Sequence, residues 1–341
     1  MTTSDVSPAA VGGGTCPVSH RAASFNPFVE PYLSDPYSFL AGVRAEEPVF
    51  YSPEIDYYVV TKFDDVRMVF RDPPHLLRRD RPRAADPLCS PSSIQKVIDV
   101  GYVPGAGPRQ RGRSDPHEAP EGIGEKFETQ RVEALEPRIR AIVTEYLDKF
   151  VTTGSADLID DFVWEIPALV IFMFMGVPDE EAPLVKQFAA RRTLFTWGGR
   201  PTEDEQNKLV DEVGVYWNYC KAHVGRLLEK PGDDFMSDVI RVHQEDPELI
   251  DETYLYNTML NFLFAGHETT TGASGNGFRA LLENRDAWAQ LCADPPSLIP
   301  NAVEELLRYS SSVIAWRRRA KAATTIGGEV DIPPEARTCC S

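Results

Sequence analysis

The sequence predicts a mostly helical α+β fold, a helical body with small β-sheets, and three observations carry that expectation. Helical periodicity is nearly unbroken from Gln130 to Tyr309. Strand-like runs occur only toward the two ends of the chain, before Phe63 and after Tyr309. Between them, the long helical segment 251–282 breaks its own pattern at Ala265-Gly266-His267-Glu268-Thr269-Thr270-Thr271. Helices in the majority, with sheet pieces set apart from them, form an α+β arrangement.

Composition bounds the class. At 341 residues the chain can bury a sizeable core, and roughly 150 residues per domain is only a soft guide to domain number. Residues 21–341 read as one domain, preceded by a flexible stretch, 1–20, rich in Ser, Thr, Gly and Ala. With 42% hydrophobic and 26% charged residues the chain falls among ordinary globular proteins. A net charge of −17 argues against nucleic acid as a partner, because phosphate binding needs clustered Lys and Arg. Residues 1–20 lack the apolar run of a signal peptide or anchor. The most apolar segment, 166–177, contains Pro167 and is shorter than the ~20 residues a spanning helix needs. The expectation is a cytoplasmic protein with no membrane partner. Cys16, Cys89, Cys220, Cys292, Cys339 and Cys340 match no zinc spacing, and in a reducing compartment the adjacent pair has no bridging role. No metal ligand set is expected from them.

In chain order, Asp35 reads as an N-cap with Pro36 at the first helical position, opening a helix over 35–44. Runs 48–51 and 57–61, separated by Ser52-Pro53-Glu54-Ile55-Asp56, make a hairpin candidate. Helical spacing resumes over 63–70 and stops at Asp72-Pro73-Pro74. Further helices are expected at 131–150, 161–175, 179–195, 202–229, 234–244, 251–282, 285–293 and 298–309. Strand texture follows at 313–317 and at 324–332 around Gly327-Gly328. Residues 86–103 and 193–201 read as loops.

Within 251–282, Tyr254, Leu255, Thr258, Met259, Phe262 and Leu263 recur at helical spacing as a buried face. Then Ala265 and Gly266 remove bulk, Glu268 places a carboxylate among apolar neighbours, and Thr269 to Thr271 supply three β-branched hydroxyls. A mid-helix glycine costs about 0.5–1 kcal/mol relative to alanine, and Ser or Thr hydroxyls can bond the carbonyl four residues back and bend the helix. Close approach of a flat ligand would offset that weakness; so would a close helix crossing. Downstream, Glu305-Leu306-Leu307-Arg308 puts a carboxylate and a guanidinium on one side of a helix, an arrangement common on solvated surfaces.

Taken together, Ala265-Gly266-His267-Glu268-Thr269-Thr270 and Glu305-Leu306-Leu307-Arg308, followed by strands bearing Arg318 and Gly327-Gly328, resemble the cytochrome P-450 superfamily of haem-thiolate monooxygenases. The resemblance extends to the Asp35-Pro36-Tyr37 opening, to Pro48-Val49-Phe50-Tyr51 leading to Tyr58-Val59-Val60-Thr61, to Pro167 in a helix ending at Gly176-Val177-Pro178, and to Ile326-Gly327-Gly328 before Asp331-Ile332-Pro333. It implies a soluble bacterial type, a haem cofactor, a small organic substrate, dioxygen, and a ferredoxin or flavin reductase as electron donor. Ala265 and Gly266 would then leave room for dioxygen beside the porphyrin. Thr269 would hydrogen-bond it, and Glu268 would feed in protons as a general acid. Arg318, flanked by Arg317 and Arg319, would contact a haem propionate. Glu305 and Arg308 would form a structural ion pair in a buried charge network, and His267 would not ligate iron.

Two departures from the family pattern shape further expectations. The chain ends at Ser341 before the glycine-rich loop whose cysteine thiolate pushes electron density toward O–O cleavage, and before the final helix. A C-terminally truncated domain that does not retain haem is therefore expected. Residues 107–126, dense in Pro, Gly, Arg and Glu, stand where the family has a helix with His-x-x-x-Arg. Codons available to residues 113–121 permit Asp-Pro-Thr-His-Thr-Lys-Leu-Arg one base later, and those of 338–341 permit Val-Leu-Leu. A reading frame slipping near Gly107, recovering near Lys126 and slipping again near Thr338 is the expectation. Beside the monooxygenase stand two alternatives: a haem-free helical protein binding an apolar small molecule near Phe262, Leu263 and Phe264, and an inactive product of a damaged gene.

Overall fold

The computed structural model describes residues 19–71, 76–77, 90–102, 129–189 and 202–340. The expectations placed on 1–18, 107–126 and 193–201, and on Cys16 and Cys89, lie outside the described residues. The backbone divides into two compact units, Met1–Arg81 with Ile314–Ser341, and Pro82–Val313.

The first unit holds α1 (His20–Ser24), α2 (Pro36–Glu46), β1 (Val49–Ser52), β2 (Tyr57–Val60), α3 (Phe63–Arg71), β3 (Leu76–Leu77), β4 (Trp316–Ala320), β5 (Thr324–Ile326), β6 (Val330–Ile332) and β7 (Arg337–Cys340). α2 starts where its sequence says it should: the Asp35 carboxylate accepts from the Ser38 amide at 3.1 Å, and Pro36 occupies the first turn, where a missing N–H leaves nothing unsatisfied. β1 and β2 pair antiparallel from Val49–Val60 to Ser52–Tyr57. Side chains alternate along them, so Val49 and Val60 join Val69, Ile326 and Ile332 in one cluster, while Phe50 and Val59 join Phe25, Leu40 and Val43 in another.

The five-stranded sheet runs β1-β2-β7-β4-β3. Its central strand is β7, parallel to β2 and antiparallel to β4. Residues 337–340 thus make a strand with the residues present, Arg, Thr, Cys and Cys. Ladder bonds are made by backbone groups, which Thr and Cys supply as well as Val and Leu do. Cross-strand pairing of Trp316 with Cys340 also sets where β4 begins, a few residues beyond the expected 313–317. β5 and β6 form a hairpin turning through Gly327 and Gly328, at φ +65° and +76°, a region glycine enters at little cost.

The second unit is helical: α4 (Pro91–Asp99), α5 (Thr129–Phe150), a π-turn (Ile159–Val163), α6 (Ile166–Phe174), a 3-10 turn (Asp179–Glu181), α7 (Ala182–Ala189), α8 (Glu203–Glu229), α9 (Phe235–Glu245), α10 (Glu252–Glu283), α11 (Arg285–Ala293) and α12 (Pro295–Tyr309). Thr202 and Glu205 close a capping box at the head of α8, and Asp234 and Asp251 cap α9 and α10. The core gathers Phe172 and Met175, Trp217 and Val224, Phe235, and Met259 and Leu263. Among the described residues, no helix is long and apolar enough to cross a membrane.

Two expectations are corrected here. Residues 86–103 are not all loop, since Pro91–Asp99 is α4, capped by Ser90, whose hydroxyl accepts from the Ser93 amide at 3.2 Å. α4 is held on α8 by Ser90 N–H donating to Gln206 Oε1 at 2.8 Å and by Lys96 on Asp211 at 3.0 Å. The helix expected over 161–175 is split into the π-turn and α6. Pro167 has no N–H for the carbonyl four residues back and its ring crowds that turn, so α6 starts afresh with proline in its first turn.

Candidate active site

α10 begins where the Asp251 carboxylate accepts from the Tyr254 amide at 2.8 Å. Leu255, Met259, Leu260 and Leu263 are fully buried, and at the same three- and four-residue spacing so are His267 and Thr271. The turn holding the candidate residues therefore has a core face and an outer face. Ala265, Thr269 and Thr270 are exposed, whereas Gly266 and Glu268 are half-buried.

Two of the three threonine hydroxyls bond back along the helix. Thr269 Oγ1 donates to the Ala265 carbonyl at 2.7 Å on the exposed side, and Thr271 Oγ1 to the His267 carbonyl at 3.1 Å on the buried side. With its proton directed at Ala265, the Thr269 oxygen presents only lone pairs outward. His267 is enclosed: Nε2–H donates to the Trp164 carbonyl at 2.9 Å, and the ring meets Trp164 edge to face at 4.8 Å.

Gly266 does something other than what its residue type promised. An ideal Cβ there would stand 2.4 Å from Ile171 Cγ1 of α6, so its missing side chain is accounted for by the helix crossing. Expected as cofactor-facing, Gly266 turns the side where a Cβ would stand to α6. Neither Ile171 nor Trp164 was singled out from the sequence. The period through Leu260, Leu263, His267 and Thr271 was the signal that His267 turns inward, but nothing local names its partner.

Glu305 and Arg308 pair as expected in kind, not in place. Arg308 Nε and Nη2 each donate to a Glu305 carboxylate oxygen at 2.7 Å, and the Arg308 hydrogen bond holds that carboxyl below its usual range. Their side chains are 54% and 69% exposed, where the resemblance implies a buried network. α12 presents Leu306, not the pair, to α10, where an added Cβ on Gly277 would be 3.2 Å from Leu306 Cδ1.

Arg318 lies in the first unit, on β4, and is buried. Its guanidinium sits over the Phe70 ring at 4.3 Å, and Nη1 donates to the Arg317 carbonyl at 2.9 Å. Arg319, also buried, reaches Glu335 at 3.5 Å.

A haem implied by the motifs finds a fitting face on α10, because the exposed surface at Ala265 and Thr269 presents one methyl and one threonine to a flat ring. Among the described residues no cluster of three or more His, Cys, Asp and Glu could hold a metal ion, whereas a haem iron needs one axial ligand from the protein. Cys339 and Cys340 lie in β7, and burial pushes their thiols up to about 11 and about 12, whereas ligation needs the thiolate.

No family model matches the chain. It is 30% identical over 314 residues to the vitamin D(3) 25-hydroxylase of Pseudonocardia autotrophica, covering 90% of this chain and 72% of that protein. Against an intact type IV self-sufficient cytochrome P450 monooxygenase it superposes with a TM-score of 0.84 at 39% identity, over 95% of this chain and 42% of that one. The heme domain of a Tepidiphilus thermophilus P450 gives 0.82 at 32% identity, over 94% and 76%. On a helix carrying Ala265, Glu268 and Thr269, and on relatives of this likeness, the chain belongs to the cytochrome P450 family of haem-dependent monooxygenases.

Proposed function

We propose that this chain carries the dioxygen side of a haem monooxygenase that inserts one oxygen atom into a small apolar organic substrate, in the cytoplasm, with electrons from a ferredoxin or a flavin reductase. One observation carries the reading. Beyond the buried Leu255, Met259, Leu260 and Leu263 of α10, Ala265 and Thr269 stand exposed one turn apart, joined by the Thr269 hydroxyl on the Ala265 carbonyl.

When bound, haem supplies the iron at which dioxygen is activated. The chain's own residues divide the remaining work. Ala265, with only a methyl group, lets a ring plane come to van der Waals contact. The Thr269 oxygen, with its proton on the Ala265 carbonyl, would accept a hydrogen bond from a water and so orient it. Glu268, half-buried on the next step of the helix, takes a proton from solvent and passes it through water to the Thr269 site, as a positioned carboxylate does in general acid catalysis. In the first unit, taken by itself, Arg318 is a buried guanidinium of the kind that pairs with a carboxylate through charge-assisted hydrogen bonds. Phe262 and Phe264, both half-buried near the turn, favour an apolar substrate.

The test has two arms. Against the expectation of a domain that does not retain haem, this reading requires saturable uptake of haemin by the parent protein at one equivalent, and failure to take it up sinks the reading. In the loaded protein, Thr269→Ala and Glu268→Gln should raise the share of consumed dioxygen released as hydrogen peroxide several-fold. An unchanged share removes both residues from the assignment.

A further inference from the structure

We propose that His267 is a positioning residue: its hydrogen bond to the Trp164 carbonyl sets the rotation of α10 at the oxygen turn and so aims Glu268 and Thr269. The inference rests on the monooxygenase reading of that turn, and goes beyond it by assigning work to a side chain that touches neither ligand nor substrate.

α10 is seated along the π-turn and α6 by close apolar contacts. Ideal Cβ atoms on Gly266 and Gly275 would stand 2.4 Å from Ile171 and 2.8 Å from Ile159, and the Phe162 and Phe278 rings meet at 6.3 Å. Such contacts hold the helices close, but apolar attraction is non-directional and resists rotation weakly. A hydrogen bond is directional and weakens steeply off axis. His267 Nε2–H to the Trp164 carbonyl, at 2.9 Å from a fully buried imidazole, supplies a directional tie across this seam. Breaking it strands the buried donor at a desolvation cost. The π-turn places that acceptor: its five-residue bonds, including Trp164 N–H to the Ile159 carbonyl at 2.9 Å, bring Trp164 beside α10 at the head of α6. On the other side, the His267 carbonyl receives the buried Thr271 hydroxyl at 3.1 Å.

The consequence falls on the next two residues. With Cα atoms about 2.3 Å from the helix axis, a rotation of about 20° moves a side-chain oxygen on the order of 1 Å, and a misplacement of that size can cost roughly a hundredfold in rate.

His267→Leu removes the donor and keeps apolar bulk, while His267→Gln keeps an N–H at similar reach. Hydrogen exchange should show amides 268–271 at least tenfold faster in His267→Leu, with α8 amides unchanged, and His267→Gln within threefold of the parent. In haem-loaded protein His267→Leu should also raise the peroxide share, and His267→Gln should restore it. Unchanged local exchange, exchange rising equally in α8 and α10, or a glutamine variant behaving like leucine would overturn the proposal. Should the leucine variant not fold, ring-nitrogen NMR of the parent decides: an Nε2–H tautomer in slow exchange with water supports the tie, and an Nδ1–H tautomer refutes it. Exchange and NMR need no haem, so failure there removes the tie, whereas failed haem uptake removes only the monooxygenase reading.

Discussion

Gly266 and Ile171 meet with no space for a side chain between their helices: a Cβ on the glycine would lie 2.4 Å from Ile171 Cγ1 and 2.7 Å from its Cβ. Gly266→Ala should therefore destabilise by about 1–3 kcal/mol, the usual range for overpacking a close-packed site. Ile171→Ala in the same chain should recover only part of that, since the 2.7 Å approach to the Ile171 Cβ persists. Urea unfolding of the double-mutant cycle measures the coupling. An alanine variant as stable as the parent would mean that the crossing is open.

His223 makes stability fall on mild acidification. It is buried on α8 with its ring parallel to Tyr219 and its Nδ1 accepting from Arg226 Nη2 at 2.8 Å, while Arg226 and Tyr219 both bond Glu181 at 2.7 Å. Burial first, and the Arg226 charge second, lower its pKa, against the opposing pull of Glu181, Asp234 and the Gly176 carbonyl. The folded state thus takes up its proton at lower pH than the unfolded chain, whose histidine titrates near 6.5. The contribution is complete above about pH 6.5 and is lost as pH falls through the folded value. Melting midpoints from pH 7.5 to 5.5 should drop more steeply for the parent than for His223→Gln; parallel curves would refute this.

The thiols should separate by reactivity. Cys292 is exposed on α11, whereas Cys220 and Cys340 are buried. Desolvation raises Cys340, buried, to about 12 and Cys339, half-buried on β7, to about 11, so at pH 8 roughly a thousandth or less of either is thiolate, the reactive form. Mass mapping after brief alkylation should find Cys292 modified first, Cys339 more slowly, and Cys340 only after denaturation. Rapid native labelling of Cys340 would place β7 outside the sheet.

Glu305→Gln should leave the melting midpoint unchanged, because both partners are solvated and such pairs contribute little. Leu306→Ala should lower it, since Leu306 is the α12 residue packed on Gly277. A loss for Glu305→Gln as large as that for Leu306→Ala would restore the buried network.

Helix starts were legible because their chemistry is local. Asp35, Thr202, Asp234 and Asp251 each bond an amide three residues on, within one turn of chain. The start of α4 was equally available in Ser90-Pro91, a cap followed by a first-turn proline, and was obscured by the loop-like composition around it. The hairpins at 52–56 and 327–328 announced themselves through turn residues. β7 did not, because a strand of Arg, Thr, Cys and Cys is defined by the neighbours that accept its backbone bonds. Cytochrome P450 membership could be read from two motifs in one order.

By itself the sequence determined where helices begin, that residues 265–271 interrupt a buried rod, and to which family such an interruption belongs. Tertiary structure alone decided which way each residue of that turn faces: Gly266 onto Ile171, His267 onto Trp164, Thr269 outward, and Glu305 into solvent. The physical reason is distance along the chain. A cap is satisfied by its own next turn, but His267 finds its acceptor 103 residues away, and no local spacing specifies a partner brought there by packing.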